Sequence, residues 1–283
     1  MAKISVNGLD IAYEIIGDGQ KNAIITPGGR ESKDTPGVRE TAQELAKNGY
    51  RVVIWDRPNC GESHISFEGE SESILNADVL AGLLKALDMA PALVVGGSAG
   101  SRVSLIAALR HPEVVSGLAM LWISGSWTGM SVLASFYCGG PAEAARKDGM
   151  RAAAEHFALA PCVQRNPDNL ERILAYDVEQ FWDIMQKWAK AFFMITDSPL
   201  PCITRADLAK LNMPVLIFRS GVSDPSHPRA TSEELAALIP GAQIVDPPWG
   251  DREWIERIKD PTALFKRWPL LVPQLVEFGR QVA

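Results

Sequence analysis

The chain has few of the residues that build metal centres or disulfide frameworks. Its four cysteines, Cys60, Cys138, Cys162 and Cys202, are scattered and form no CxxC pair. That spacing argues against thiolate metal ligation and against a disulfide scaffold, and leaves free thiols in a cytoplasmic protein as the expectation. Its four histidines, His64, His111, His156 and His227, make no HxxxH pair, so no metal site is expected. No GxGxxG dinucleotide fingerprint is present, and no cofactor is implied. No run approaches the roughly 18 apolar residues of a membrane span. The opening MAKISVNGLD lacks the apolar stretch of a secretory signal. Formal net charge is -6 with both signs mixed along the chain. There is neither a basic patch for nucleic acid nor a polybasic tail for a membrane surface.

What is plentiful is apolar sequence. Hydrophobic residues make up 47% of 283 positions, enough for one large core with an inserted subdomain. The rest of the chain is organised around residues 92–107, ALVVGGSAGSRVSLIA. A short apolar run ends in Gly96-Gly97-Ser98-Ala99-Gly100, and a helical apolar pattern follows at once. That reads as strand, very tight turn and helix, with Ser98 at the apex and glycine on both flanks, where a side chain would clash.

Upstream, residues 3–6 and 11–16 alternate around Asn7-Gly8, a hairpin signal. Residues 23–26 form a short apolar strand ending in Pro27-Gly28-Gly29-Arg30. Residues 38–48 carry Val38, Ala42, Leu45 and Ala46 on one helical stripe, stopped by Gly49. A strand over 51–55 runs into Asp56-Arg57-Pro58-Asn59-Cys60-Gly61-Glu62-Ser63, and a helix over 71–87 follows. After the elbow comes a buried strand over 115–123. Central strands that are apolar without alternation indicate a parallel sheet covered on both faces.

The pattern then changes. Residues 124–205 carry only helical periodicity, near 129–137, 141–159, 168–176 and 177–194. Strand character resumes at 213–219, followed by a loop over 220–229, a helix over 232–238 and a last strand over 241–245. Residues 253–282 read as helix with a break at Trp268-Pro269. The expectation is an α/β core at 1–124 and 206–283, with 125–205 as a helical lid over the C-terminal edge of the sheet, where open α/β sheets bind ligands. The plainer alternative is a packing layer with no part in binding. Trp127, Phe136, Trp182 and Trp188 in this block, with Trp249 beyond it, suggest a pocket for an apolar, aromatic small molecule. Each of these rings taken singly is more often core than pocket. Exposed apolar residues of the block would let two chains pair as a homodimer.

With these elements in this order, the chain resembles a capped α/β-hydrolase over nearly its whole length, closest to esterases, lactonases and carbon–carbon bond hydrolases. The resemblance rests on the G-x-S-x-G elbow and on the Gly28-Gly29 loop. It rests also on Asp56, Pro58, Gly61 and Ser63 aligning with the family's Asp-x-Arg-Gly-x-Gly-x-Ser segment, and on Asp224 in the loop that usually holds the catalytic acid. Pro58 stands in the Arg slot and Asn59 in a Gly slot. The resemblance implies the α/β-hydrolase fold: a mostly parallel eight-stranded sheet covered by helices, with an inserted helical lid. It implies Ser98 as nucleophile and Gly29 and Ala99 as oxyanion-hole amides. Family members place their catalytic histidine after the last strand. Here that stretch reads Asp246-Pro247-Pro248-Trp249-Gly250-Asp251-Arg252-Glu253-Trp254, and no histidine follows His227.

His227 is the leading candidate for the base, in Asp224-Pro225-Ser226-His227-Pro228. Two strand spacings are about 10 Å, a gap that a loop residue on this edge could span to reach Ser98 at about 3 Å. Asp224 could then orient the ring, with Asp246 and Asp251 as alternatives. His64 and His156 are weaker candidates, and His111 reads as a helix-end residue. Trp249 would fill the volume of the absent histidine. Arg30 would either anchor a substrate carboxylate or carbonyl oxygen, or pair with Glu31 or Asp34. Arg102 presents the same choice, with the structural role favoured. The expected activity is hydrolysis of an ester, lactone or activated ketone in an apolar small molecule. The alternatives are a lyase, cyclase or decarboxylase in the same pocket, and a silent ligand-binding sensor.

Overall fold

Asn7 and Gly8 both take positive φ, 51° and 80°, the backbone that matches the right-handed twist of a tight hairpin. They join β1 (Ala2–Val6) to β2 (Leu9–Ile16). The computed structural model describes residues 2–222, 224–251, 253, 255, 259–260 and 265–282. Six further strands follow: β3 (Lys21–Thr26), β4 (Tyr50–Trp55), β5 (Ala92–Gly97), β6 (Val115–Leu121), β7 (Val215–Phe218) and β8 (Gln243–Val245). They make one eight-stranded sheet in the order β1-β2-β4-β3-β5-β6-β7-β8. β2 runs antiparallel to both β1 and β4, and every other pairing is parallel.

The pleat sends alternate residues to opposite faces, and each face is covered. Ile24, Val53, Val94 and Ile217 point into one core, and Ile25, Val52, Val95 and Leu216 into the other. α1 (Val38–Ala46) covers the second face, and α2 (Glu72–Ala86) and α3 (Ala99–Arg110) the first. Burial on both sides is why the central strands are uniformly apolar.

Between β6 and β7 lie α4 (Trp127–Ala134), α5 (Gly140–Asp148), α6 (Met150–Glu155), α7 (Ala160–Arg165), α8 (Asp168–Leu174), α9 (Val178–Lys190) and α10 (Arg205–Leu208). α4 to α9 share an apolar core of their own around Phe67, Tyr137, Phe181, Met185 and Trp188, whereas Leu208 of α10 packs into the first-face core. The single helix expected over 141–159 is divided, because Gly149 at φ 87° closes α5 and opens α6. The helix expected over 129–137 ends at Ala134 and passes into a π-helical turn, Ser135–Gly139. Beyond β7, α11 (Arg229–Leu238) starts directly after Pro228, three residues before the expected 232. A 3-10 turn, Trp268–Leu271, leads into α12 (Val272–Phe278) on the second face. Much of the helix expected from 253 to 267 lies outside the described residues. Among the described residues, no helix is long and apolar enough to cross a membrane.

One side chain ties the helical block to the loop after β4. The fully buried Asn169 accepts from the Ile65 amide at 2.8 Å and donates to the Ser63 and Cys162 carbonyls at 3.0 and 3.2 Å. Asn169→Ala strands these groups away from water, at a cost of about 3 kcal/mol. The expected result is a lower urea midpoint with an unchanged m-value. An unchanged midpoint would show that this tie carries no stability.

Candidate active site

The turn after β5 is built by close approach of backbones. A side-chain carbon on Gly100 would lie 2.0 Å from the Thr26 carbonyl oxygen, so only glycine lets α3 start this near β3. Ser98 sits between strand and helix at φ 55°, ψ -119°. A non-glycine residue held in that region costs roughly 1–3 kcal/mol. The Ser98 amide donates to the Leu121 carbonyl at 3.0 Å, and its own carbonyl accepts from the Arg102 amide at 3.2 Å. These bonds hold the hydroxyl above the C-terminal edge of the sheet.

The loop after β7 brings the other two polar groups. Asp224 Oδ1 accepts from the amides of Ser226 at 2.9 Å and His227 at 3.1 Å, which folds the loop back on itself. Asp224 Oδ2 lies 2.7 Å from His227 Nδ1, and His227 Nε2 lies 2.8 Å from Ser98 Oγ. With Nδ1–H donating to the carboxylate, Nε2 is left to accept the Ser98 proton. Burial by itself would raise the Asp224 pKa. The His227 hydrogen bond and charge, with the two loop amides, outweigh it and hold the carboxyl below its ordinary value. The Trp122 ring lies 6.4 Å from the imidazole, and its Nε1 donates to Glu253 Oε2 at 2.8 Å. The loop is fastened further by the Gly125 amide, which donates to the Ser226 carbonyl at 3.3 Å.

Facing Ser98 is the Pro27-Gly28-Gly29-Arg30 turn. A Cβ on Gly28 would fall 2.8 Å from Ser98 Cβ, and Gly29 takes φ 50°. Arg57 braces this turn by donating to the carbonyls of Gly28 at 3.2 Å and Gly29 at 2.5 Å. Asp56 braces the next residues. Its carboxylate accepts from the amides of Lys33 at 2.7 Å and Glu62 at 2.9 Å. The wholly buried Lys33 ammonium reaches Asp34, Glu62 and Asp56. Burial dominates at Asp56 and leaves its pKa raised despite these donors. Ala99 opens α3, so its amide has no acceptor within the helix.

A serine, an imidazole and a carboxylate in hydrogen-bonded series is an arrangement able to activate a hydroxyl. The sequence matches the family model for the alpha/beta hydrolase fold over residues 24–251. This chain belongs to the α/β-hydrolase family. The human serine hydrolase BPHL is 23% identical over 86% of this chain and 77% of that protein. A 2-hydroxy-6-oxononadienedioate/2-hydroxy-6-oxononatrienedioate hydrolase of Burkholderia vietnamiensis is 33% identical, over 40% of each chain, so the match spans less than half of that relative. Among solved structures, the enol-lactonase from Burkholderia xenovorans superposes with a TM-score of 0.61 at 22% identity, covering 98% of this chain and 99% of that one. The meta-cleavage product hydrolase CumD gives 0.61 at 22% identity, covering 99% and 98%. At such identities the structural likeness speaks for the fold.

The remaining candidates for the site of this α/β-hydrolase have other partners, and His111 caps the C-terminal end of α3. Asp246 pairs with Arg219, and Asp251 with Arg229. His64 accepts from the Asp10 amide, His111 faces Asp78, and His156 accepts from the Ala158 amide. Arg30 pairs with Glu72, not with Glu31 or Asp34, and its guanidinium lies 4.9 Å from the centroid of the Tyr137 ring. Burial alone would depress its pKa, but Glu72 prevails and raises it further. Among the described residues, no group of three or more His, Cys, Asp or Glu side chains could hold a metal ion.

The cavity at Ser98 is narrow and walled by Ala99, Arg102, Met130, Leu133, Tyr137 and Phe192, with Arg57 and Glu72 at its polar end. The aromatic wall expected from Trp127, Phe136, Trp182, Trp188 and Trp249 is therefore corrected. Trp127 is 70% exposed, and Phe136 packs on Tyr137 and Phe157. Trp182 stacks under Arg146, Trp188 is buried beside Phe67, and Trp249 packs on the second-face core. The helix expected to carry Phe136 passes into the π turn over Ser135–Gly139, which changes the facing of residues within it. Tyr137 and Phe192 are marked in the sequence only as aromatics of the helical block, and Arg57 only by its place in the segment at 56–63, while Glu72 carries no motif.

The lowered Asp224 pKa sets a pH test. A depressed carboxyl stabilises the fold fully above its unfolded pKa, about 3.9, and loses that contribution as pH falls through the folded value. The stability gap between wild type and Asp224→Asn is expected to be constant from about pH 5 to 7 and to shrink below about pH 4. Urea unfolding at pH 6 and pH 3 measures it. A gap that widens at pH 3 would contradict the assigned Asp224–His227 contact.

Proposed function

We propose that this α/β-hydrolase is a serine hydrolase acting on an ester, a lactone or an activated ketone of a small, largely apolar molecule. The observation that carries the reading is the series Ser98 Oγ, His227 and Asp224, joined by contacts of 2.8 and 2.7 Å. A serine hydroxyl is a poor nucleophile at neutral pH without a base in contact. In this reading His227 Nε2 takes the proton as Ser98 Oγ attacks the carbonyl carbon. The charge that forms on the carbonyl oxygen is received by the amides of Gly29 and Ala99. Protonated His227, held by Asp224, then returns the proton to the departing group. A water activated by the same imidazole releases the acyl group and restores Ser98.

Residues 125–205 serve as the lid and 1–124 with 206–283 as the core. The apolar walls from Met130, Leu133, Tyr137 and Phe192 favour a hydrophobic, planar acyl group. The relative named as a 2-hydroxy-6-oxononadienedioate/2-hydroxy-6-oxononatrienedioate hydrolase supports a hydrolase of small carbonyl compounds. The base comes from the loop after β7, a shorter route to Ser98 than the stretch after β8, since only β6 separates β5 from β7.

Intact-mass measurement after exposure to an alkyl fluorophosphonate tests the reading. Wild type is expected to gain one adduct, mapped to Ser98 and absent from Ser98→Ala. His227→Ala is expected to label about 100-fold more slowly or worse, the usual yield of a positioned base. A folded wild type that gains no adduct would overturn the acyl-enzyme mechanism. Labelling of His227→Ala at the wild-type rate would remove His227 from the role of base.

A further inference from the structure

Arg102 is a largely enclosed cation with no acidic partner among the described residues. Its guanidinium donates to the Ala191 carbonyl just past the end of α9 and lies 5.7 Å from the centroid of the Phe192 ring. Its Nε is inaccessible and has no acceptor among the described residues. Among the other enclosed cations, Arg30 has Glu72, Lys33 has Asp34, Asp56 and Glu62, and Arg57 is engaged by the carbonyls of Gly28 and Gly29. Burial lowers the Arg102 pKa to about 10, opposed by Cys202. An enclosed charge left in this state is costly unless something else supplies the opposite sign.

Its position suggests what that is. Arg102 lies one turn beyond Ser98 on α3, about 6 Å along the helix axis, and forms part of the wall of the Ser98 cavity. On its other side opens a cleft of about 490 Å³, between the start of α2, the outer half of α3 and the end of α9. Arg110, Lys187, Lys190 and Lys210 join Arg102 there, against Glu70 and Asp207. The chain as a whole carries a net charge of -6, so this excess of cations is local. Arg110 is already paired with Asp78 and Lys210 with Asp207, and Lys187 donates to the Gly69 carbonyl. Arg102 is the cation of the cleft that is shared with the chamber that holds Ser98.

We propose that this cleft is an anion subsite of the active site: the substrate carries a carboxylate or phosphate group a few bonds from the scissile carbonyl, and Arg102 holds that group while Ser98 attacks. The proposal deepens the serine-hydrolase reading and rests on it for the reacting end of the substrate. Guanidinium is suited to either oxyanion, since its fork of donors matches both geometries.

Binding to Ser98→Ala by titration calorimetry tests the subsite without turnover. The probes are monomethyl glutarate, methyl 4-phosphonobutanoate and the neutral dimethyl glutarate. One or both anionic esters are expected to bind at least ~10-fold more tightly than the neutral one, as a charge-assisted pair provides. The stronger of the two identifies carboxylate or phosphate as the preferred group. In Ser98→Ala/Arg102→Gln the preference is expected to fall to within ~2-fold, and Arg102→Lys is expected to restore part of it. Equal binding of charged and neutral esters would overturn the proposal. So would a preference that survives Arg102→Gln, or an Arg102→Gln that lowers only the melting temperature, as a mere clasp on Ala191 would. Where Arg102→Gln does not fold, Arg102→Lys decides, because a full wild-type preference in that variant also overturns the role of the fork. Fluorophosphonate labelling of wild type reports separately on acylation, so loss of labelling with the anion preference intact would strike the hydrolase mechanism and spare the subsite.

Discussion

Ser98 occupies a backbone conformation, φ 55° and ψ -119°, that an L-residue adopts only when its surroundings compel it. The compulsion comes from the approach of α3 to β3, where Gly100 leaves no room for a Cβ against the Thr26 carbonyl. Leu121 at the end of β6 accepts the Ser98 amide, and the Ser101 hydroxyl lies 2.7 Å from the carbonyls of Gly96 and Leu121. The strain is therefore sustained by three neighbouring strands. Their apolar packing on both faces keeps the turn from relaxing, and the result is a hydroxyl lifted clear of the sheet edge.

Around that point, polar groups are held by other polar groups set further back. Asp224 binds its own loop amides with one oxygen and the imidazole with the other, so the orientation of the ring follows from the fold of the loop. Arg57 fixes the Gly28-Gly29 turn through two carbonyls, and Asp56 fixes the residues after it through two amides. Apart from Arg57, which lines the polar end of the cavity, the segment from Asp56 to Ser63 thus shapes the site from behind. Ser63 has the same indirect role, with its hydroxyl donating to the Asp56 carbonyl and accepting from the Ala12 amide. Such buried networks are rigid when every member is satisfied.

The helical block has the opposite character. Its elements are short, interrupted at Gly149 and at the π turn of Ser135–Gly139. It is tied to the sheet-bearing part by a small number of polar contacts, among them those of Asn169 and the bond from Arg102 to the end of α9. The chamber at Ser98 is closed by residues from both parts, with Met130, Leu133, Tyr137 and Phe192 on one side and Ala99 and Arg102 on the other. Small shifts of the block would therefore change the chamber's shape without disturbing the strained elbow beneath it.

Much of this architecture was determined by the sequence alone, because its signals are local. Period-2 and period-3.6 patterning marks the strands and helices, Asn7-Gly8 marks the hairpin, and the glycines around Ser98 mark the elbow. The lack of any histidine after His227 directs attention to the loop at 224–228 before any coordinates are known. What only the tertiary structure decided are the contacts between residues distant in the chain. Whether Asp224, Asp246 or Asp251 faces His227 depends on which loop folds back, and Arg219 and Arg229 occupy the latter two. The pairing of Arg30 with Glu72 crosses 42 positions, and that of Arg102 with Ala191 crosses 89. The aromatic lining was hidden for a related reason. A ring's facing depends on helix register and neighbour packing, and the π turn moves Tyr137 rather than Phe136 to the cavity. Local periodicity reports that a residue is apolar, while the choice between core and cavity belongs to whatever packs against it.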